Sequence, residues 1–160
     1  MVKTILAPTD FSIRSLQSVR NALEEDLDER LNVVHVVGLR IPQSITELLF
    51  FSREEFVKKL SGPVFNEACQ VIRNKYASRI NDMRIEIFTG FTQGAFNLFL
   101  DGQKIDEMYI PENKLHFRHP CFDPISFMKR SKIPRHLVSW REQENELEYN
   151  SISVLFKNWA

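Results

Sequence analysis

The sequence predicts a doubly wound α/β domain in three layers, five parallel strands in one sheet with helices on both faces. Two runs rich in β-branched residues, Thr4-Ile-Leu-Ala7 and Asn32-Val-Val-His-Val-Val37, read as strands covered on both sides. Stretches with apolar residues at helical spacing alternate with such runs along the chain. Parallel neighbours need covered, right-handed connections, so five strands joined by four crossovers leave few other arrangements.

The elements follow in order. Pro8 closes the first strand, and Ser12 is placed to cap a helix carrying Leu16, Val19, Ala22 and Leu23 on one face. The acidic run from Glu24 to Glu29 then reads as a solvated turn into strand two. Two capping boxes, Ser44 with Glu47 and Ser52 with Glu55, mark two helix starts in quick succession, and Gly62-Pro63 is expected to break the second helix. Beyond that break Phe65, Ala68, Cys69, Ile72 and Tyr76 line a face that packs on the sheet. Met83 to Thr89 alternates polar and apolar residues and predicts a partly exposed third strand. Thr92 caps a helix burying Ala95, Phe96, Phe99 and Leu100, which Gly102 is expected to stop. Glu107 to Ile110 before Pro111 predicts strand four, Ile125 to Lys129 a short helix, and His136 to Trp140 strand five.

With 160 residues the chain holds one good core, which places one domain at 1–141 and an extension at 142–160. The extension has an acidic part, Glu142 to Glu148, and an apolar part with Ile152, Val154, Leu155, Phe156 and Trp159. That apolar part is expected to pack on its own domain or on a dimer partner. Twenty-one basic and twenty-one acidic residues cancel, so neither nucleic acid nor an anionic membrane is an expected partner. Cys69 and Cys121 form neither a CxxC motif nor a disulfide framework, which suits a reducing compartment such as the cytoplasm. The first apolar run is too short for a secretory signal, so export is not expected.

Three places resemble the universal stress protein family: Ile5-Leu-Ala-Pro-Thr-Asp-Phe-Ser12 with Ser15, then Val33-Val-His-Val-Val37, then Ile87-Phe-Thr-Gly90. Pro134-Arg-His-Leu-Val138 is also similar to the family's ending. The resemblance implies a universal stress protein domain over 1–141, of the adenine nucleotide alpha hydrolase-like fold, with strand order 3-2-1-4-5. It implies a stress-response role and a homodimer through strand five. In members that hold ATP, the position matching Asp10 contacts the nucleoside, and backbone at the end of strand two, here Val36 and Val37, contacts the base. Pro8, Thr9 and Ile110 complete that candidate set at the carboxyl ends of the strands. The alternative for Asp10 is a turn cap beside Ser12.

ATP-binding members follow strand four with glycines spaced G-x2-G-x9-G-(S/T), because only glycine lets successive backbone N–H groups cradle a polyphosphate. Here Pro111-Glu-Asn-Lys-Leu-His-Phe-Arg-His-Pro120 stands in that place, and no glycine occurs after Gly102. ATP in the family's usual mode is therefore not expected, nor is any other cofactor. From Glu112 to Arg141 seven basic residues face two acidic ones, so Lys114 and Arg118 are candidates to hold an anion by charge-assisted hydrogen bonds. The alternative is a solvated basic face.

His116, His119 and Cys121 are ligand types that zinc accepts, but they lack a fourth ligand and a spacing that reaches around the ion, so no metal is expected. His35, inside an apolar strand, is expected to be buried and hydrogen-bonded. Cys69 is expected to be inert on a core face, and Cys121 exposed. Ile45, Leu48, Leu49, Phe50 and Phe51 are expected either to pack over the second helix, to cover the cleft or to meet a partner. No P-loop, G-x-S-x-G elbow, HExxH or dinucleotide fingerprint is present, so no enzyme is predicted. The expected function is a non-catalytic binding and regulatory module. The alternatives are an ATP-binding member with weak or no ATPase activity and a protein-interaction scaffold.

Overall fold

The computed structural model describes residues 1–25, 29–41 and 52–141. Strand β1 (Val2–Pro8) leads through a 3-10 turn (Ile13–Leu16) into α1 (Gln17–Glu25), and β2 (Arg30–Leu39) follows. Helix α2 (Arg53–Lys75), β3 (Ile80–Phe88), α3 (Gln93–Gln103) and β4 (Glu107–Pro111) continue the alternation. A two-residue strand β5 (Cys121–Phe122), the short α4 (Ile125–Arg130) and β6 (Arg135–Val138) complete it. The apolar cluster at 45–51 and the extension at 142–160 lie outside the described residues.

The main sheet runs β3-β2-β1-β4-β6, and every pairing along that path is parallel. This is the expected order 3-2-1-4-5, with β6 as the fifth strand. Successive side chains of β1 point to opposite faces, which splits the interior into two layers. Ile5 and Ala7 pack with Leu16, Val19, Val33, Phe65 and Ile72 on the side of α1 and α2. Leu6 packs with Val34, Val36, Phe96, Met108 and Met128 on the side of α3 and α4. Both faces of the central strands are thereby covered, and the apolar runs of β1 and β2 follow from that. Among the described residues no helix is long and apolar enough to cross a membrane.

Three helix starts are set as the capping residues imply, and the one expected at Ser44 lies outside the described residues. The Ser12 side chain accepts from the Ser15 N–H, Ser52 from the Glu55 N–H and Thr92 from the Ala95 N–H. Gly62, at φ 68° and ψ 170°, is non-helical and breaks α2 into two helical segments as expected, and Pro63 then occupies a first-turn position where its missing N–H costs nothing. One helix end differs from expectation. Helix α3 runs through Gly102 and stops at Lys104, which takes the left-handed conformation at φ 56° and caps the carbonyls of Asp101 and Leu100. The last strand ends at Val138, short of Trp140.

Strand β5 has no counterpart in the sequence reading. It pairs antiparallel with β2, Phe122 opposite Gly38 and Cys121 opposite Leu39. Because β3 already holds one edge of β2 as far as Gly38, β5 must take the other edge. It thus continues the line of β1, whose own pairing stops at Pro8 opposite Val36. Glycine at position 38 makes this possible, since a Cβ there would collide with the Phe122 ring. A Gly38→Ala chain is expected to lose about 1–2 kcal/mol of stability through overpacking, read as a lower urea midpoint with unchanged slope. An unchanged midpoint would mean that the ring moves aside freely and β5 does not depend on this contact.

Candidate functional site

The connections leaving the neighbouring strands β1 and β4 pass over opposite faces of the sheet, so a crevice forms beyond their carboxyl ends. The chain makes a tight turn there. The Thr9 N–H donates to the Val36 carbonyl at 2.9 Å, and its hydroxyl pairs with Ser15 Oγ at 2.9 Å while accepting from the Phe11 N–H at 3.0 Å. Phe11 is held in the left-handed region at φ 63°, a strained conformation for a bulky side chain. Asp10 Oδ1 accepts from the Ser12 N–H at 3.0 Å and from the Ser12 hydroxyl. Its other oxygen, Oδ2, accepts from the His116 N–H at 2.9 Å, more than a hundred residues away.

That last bond belongs to a series that fixes the whole segment after β4 over the crevice. The Glu112 N–H donates to the Val138 carbonyl at 2.7 Å, and the Asn113 amide exchanges two hydrogen bonds with the Trp140 backbone at 2.9 and 3.0 Å. The guanidinium of Arg14, only 3% exposed, donates to the Lys114 carbonyl and lies 6.0 Å from the Trp140 ring centre. Beyond His116 the Arg40 N–H donates to the Pro120 carbonyl at 3.0 Å, and the pairing of β5 with β2 follows. Side chains and one strand thus hold by enthalpic contacts a loop that the sequence leaves without glycine.

A cleft of about 490 Å³ remains between this segment, the turn after β1 and the kink of α2. Asp10, Phe11, Val37, Phe65, His116 and Arg118 line it, together with Lys59 and the Gly62 kink. Of the residues singled out from the sequence, Asp10, Val37, His116, Arg118 and Cys121 meet here. Thr9 and Pro8 are buried beneath it, and the Val36 side chain turns into the opposite core layer. Ile110 is fully buried in that same layer and does not reach the cleft, and the Lys114 side chain is not among the lining groups. Sequence reasoning missed Arg14 and Lys59, and it read Phe65 only as part of a face packed on the sheet. A charged residue among the apolar positions just after Ser12 is the one signal that points to Arg14.

His35 is buried, as expected, at 1% exposed, but neither ring nitrogen has a hydrogen-bond partner among the described residues, which corrects the expected hydrogen bond. Burial, with the Arg73 guanidinium adding to it, brings its pKa down to about 4. The Cys69 thiol packs against the core and is pushed up to about 12 by burial, so it stays protonated and inert. Cys121 is half-buried in β5 rather than exposed, and burial raises its pKa too. Among the described residues no three His, Cys, Asp or Glu side chains are grouped so as to hold a metal ion.

No family model matches the chain, and no curated protein matches it. Solved structures do. The universal stress protein UspA from Lactobacillus plantarum is similar over 85% of this chain and 97% of its own, with a TM-score of 0.56 at 13% identity. A universal stress protein in complex with cAMP is similar over 85% of this chain and 96% of its own, with a TM-score of 0.52 at 18% identity.

Proposed function

We propose that this chain, whose fold is that of the universal stress proteins, is a divergent homologue of that family acting as a non-catalytic binding module in stress response. In this reading its cleft is closed to triphosphate and holds a smaller anionic ligand. The observation that carries the reading is the occupation of the Asp10 carboxylate by the chain itself. Ser12 and His116 take up the oxygens that a nucleoside would use, and β5 takes the edge of β2 beside Val37. The cleft's cationic lining supports an anion, since among the described residues Lys59 and Arg118 line it with Asp10 as the one acidic group. The missing glycine loop supports the exclusion of a polyphosphate in the family's manner.

A homodimer belongs to the same reading. Among the described residues the outer edge of β6 pairs with no other strand, and Leu137 on it is 57% exposed. An open edge strand of this kind accepts a second copy.

Incubation with ATP tests the proposal. A ligand present at 100 times its Kd and bound only to the folded state adds about 2.7 kcal/mol, which raises the Tm of a domain this size by roughly 5–10 °C. The expected outcome is a shift below about 1 °C, no ADP formed, and a native mass spectrum showing a nucleotide-free dimer. Retained nucleotide or steady ADP release would overturn the non-nucleotide reading, and a monomer at all concentrations would remove the dimer.

A further inference from the structure

We infer that the cleft beside Asp10 takes an amphipathic monoanion, a molecule with an apolar body and one negatively charged head group such as a carboxylate. The inference rests on reading the cleft as an anion site and names the chemistry of its occupant. The walls are mixed: beside the polar groups Asp10, Ser12 and Ser61 stand Phe11 and Phe65, which meet edge to face at 5.5 Å, then Phe117, and Val64, which is 47% exposed beside the kink. Among the described residues nothing lies within 4 Å of where a Gly62 Cβ would be, so no other group packs against the kink at that point. A volume of about 490 Å³ lies within the range of small-molecule sites, about 300–1,000 Å³, and the four apolar side chains offer one part of it to an apolar body.

Charge selects the head group. Lys59 and Arg118 line the cleft, both are exposed, and neither has an ion-pair partner among the described residues. The hydroxyls beside them are spent inside the protein, Ser12 donating to Asp10 and Ser61 to the Lys58 carbonyl. Donation to a ligand therefore falls to the two cations and the His116 ring, and the cations form charge-assisted hydrogen bonds. Two positive charges against the Asp10 carboxylate match one negative charge on the occupant. A second or third charge would meet the carboxylate without compensation, which disfavours polyphosphates. An uncharged apolar molecule would leave the cations unused.

The probe is 8-anilinonaphthalene-1-sulfonate, an aromatic monoanion whose fluorescence rises in apolar surroundings. The native protein at neutral pH is expected to bind it saturably with one site per chain, without loss of near-ultraviolet dichroism. Decanoate is expected to displace it, whereas decanol and inorganic phosphate are not. Lys59→Gln and Arg118→Gln, both at exposed positions, are each expected to weaken probe and decanoate about tenfold while the Tm stays unchanged. In a second variant, Val64→Trp, the indole fills the cleft and is expected to abolish binding. Displacement by decanol as effective as by decanoate, or full affinity in both charge variants, would overturn the inference. If ATP binds but decanoate still competes for the probe, the non-nucleotide reading fails while the monoanion site stands.

Discussion

Lowering the pH from about 7 to about 4 is expected to cost the fold about 3 kcal/mol, and a His35→Leu chain is expected to lose none of it. His35 sits on β2 between Ala7 of β1 and Ile85 of β3, with its ring edge-on to Phe65 at 6.1 Å. Burial and the Arg73 guanidinium, which itself donates to the Met83 carbonyl at 2.6 Å, hold its pKa at about 4 against an ordinary value of 6.5. Between those values the unfolded chain binds a proton that the folded chain refuses. Stability from this residue is thus complete above 6.5 and is lost as the pH falls toward 4. At about 1.4 kcal/mol per pKa unit the difference reaches about 3 kcal/mol. Nearby Cys69 stays uncharged throughout, its thiol being pushed up to about 12. The leucine removes two buried nitrogens that lack partners, each costing about 1–3 kcal/mol, so the variant is expected to be at least as stable at neutral pH. Urea midpoints measured at several pH values check this, and parallel curves for the two chains would show that another group carries the acid sensitivity.

The layered sheet is legible in the sequence because burial on both faces forces continuous apolar runs. Val33 to Val37 can be soluble only when covered, and the alternation with capped helices then dictates parallel order. The helix starts are legible for a local reason, since Ser52 and Thr92 satisfy N–H groups three residues away. What escapes is non-local. Cys121 and Phe122 carry no strand pattern, and their pairing depends on the missing side chain of Gly38 more than eighty residues earlier. Gly62-Pro63 reads correctly as an interruption, yet its consequence, a kink that forms part of one wall of a cleft, follows only from where α2 lies. Asp10 shows the same limit. Its position at the end of β1 marks a site, but its partner His116 is visible only once the segment after β4 folds back.

An Asp10→Ala chain is therefore expected to lose about 2 kcal/mol and to release that segment. Hydrogen bonds to a charged acceptor contribute about 1.5–3 kcal/mol each. Water can replace each of the three in part, the exposed bond from His116 included, so each counts for less than that and together they come to about 2 kcal/mol. Amide hydrogen exchange at His116, Cys121 and Phe122 is expected to quicken about 30-fold, the factor that corresponds to 2 kcal/mol, while the amides of β1 and β3 slow or quicken only with global stability. Asp10→Asn sharpens the test. It keeps an acceptor for Ser12 but can turn an amide N–H toward the His116 N–H, placing donor against donor, so it is expected to behave more like the alanine than like the wild type. Were the carboxylate reserved for a ligand instead, both variants would leave the His116 amide protected. Its exchange rate thus separates a residue that recognises nucleoside from one that fastens the chain's own loop across the place where nucleoside would lie.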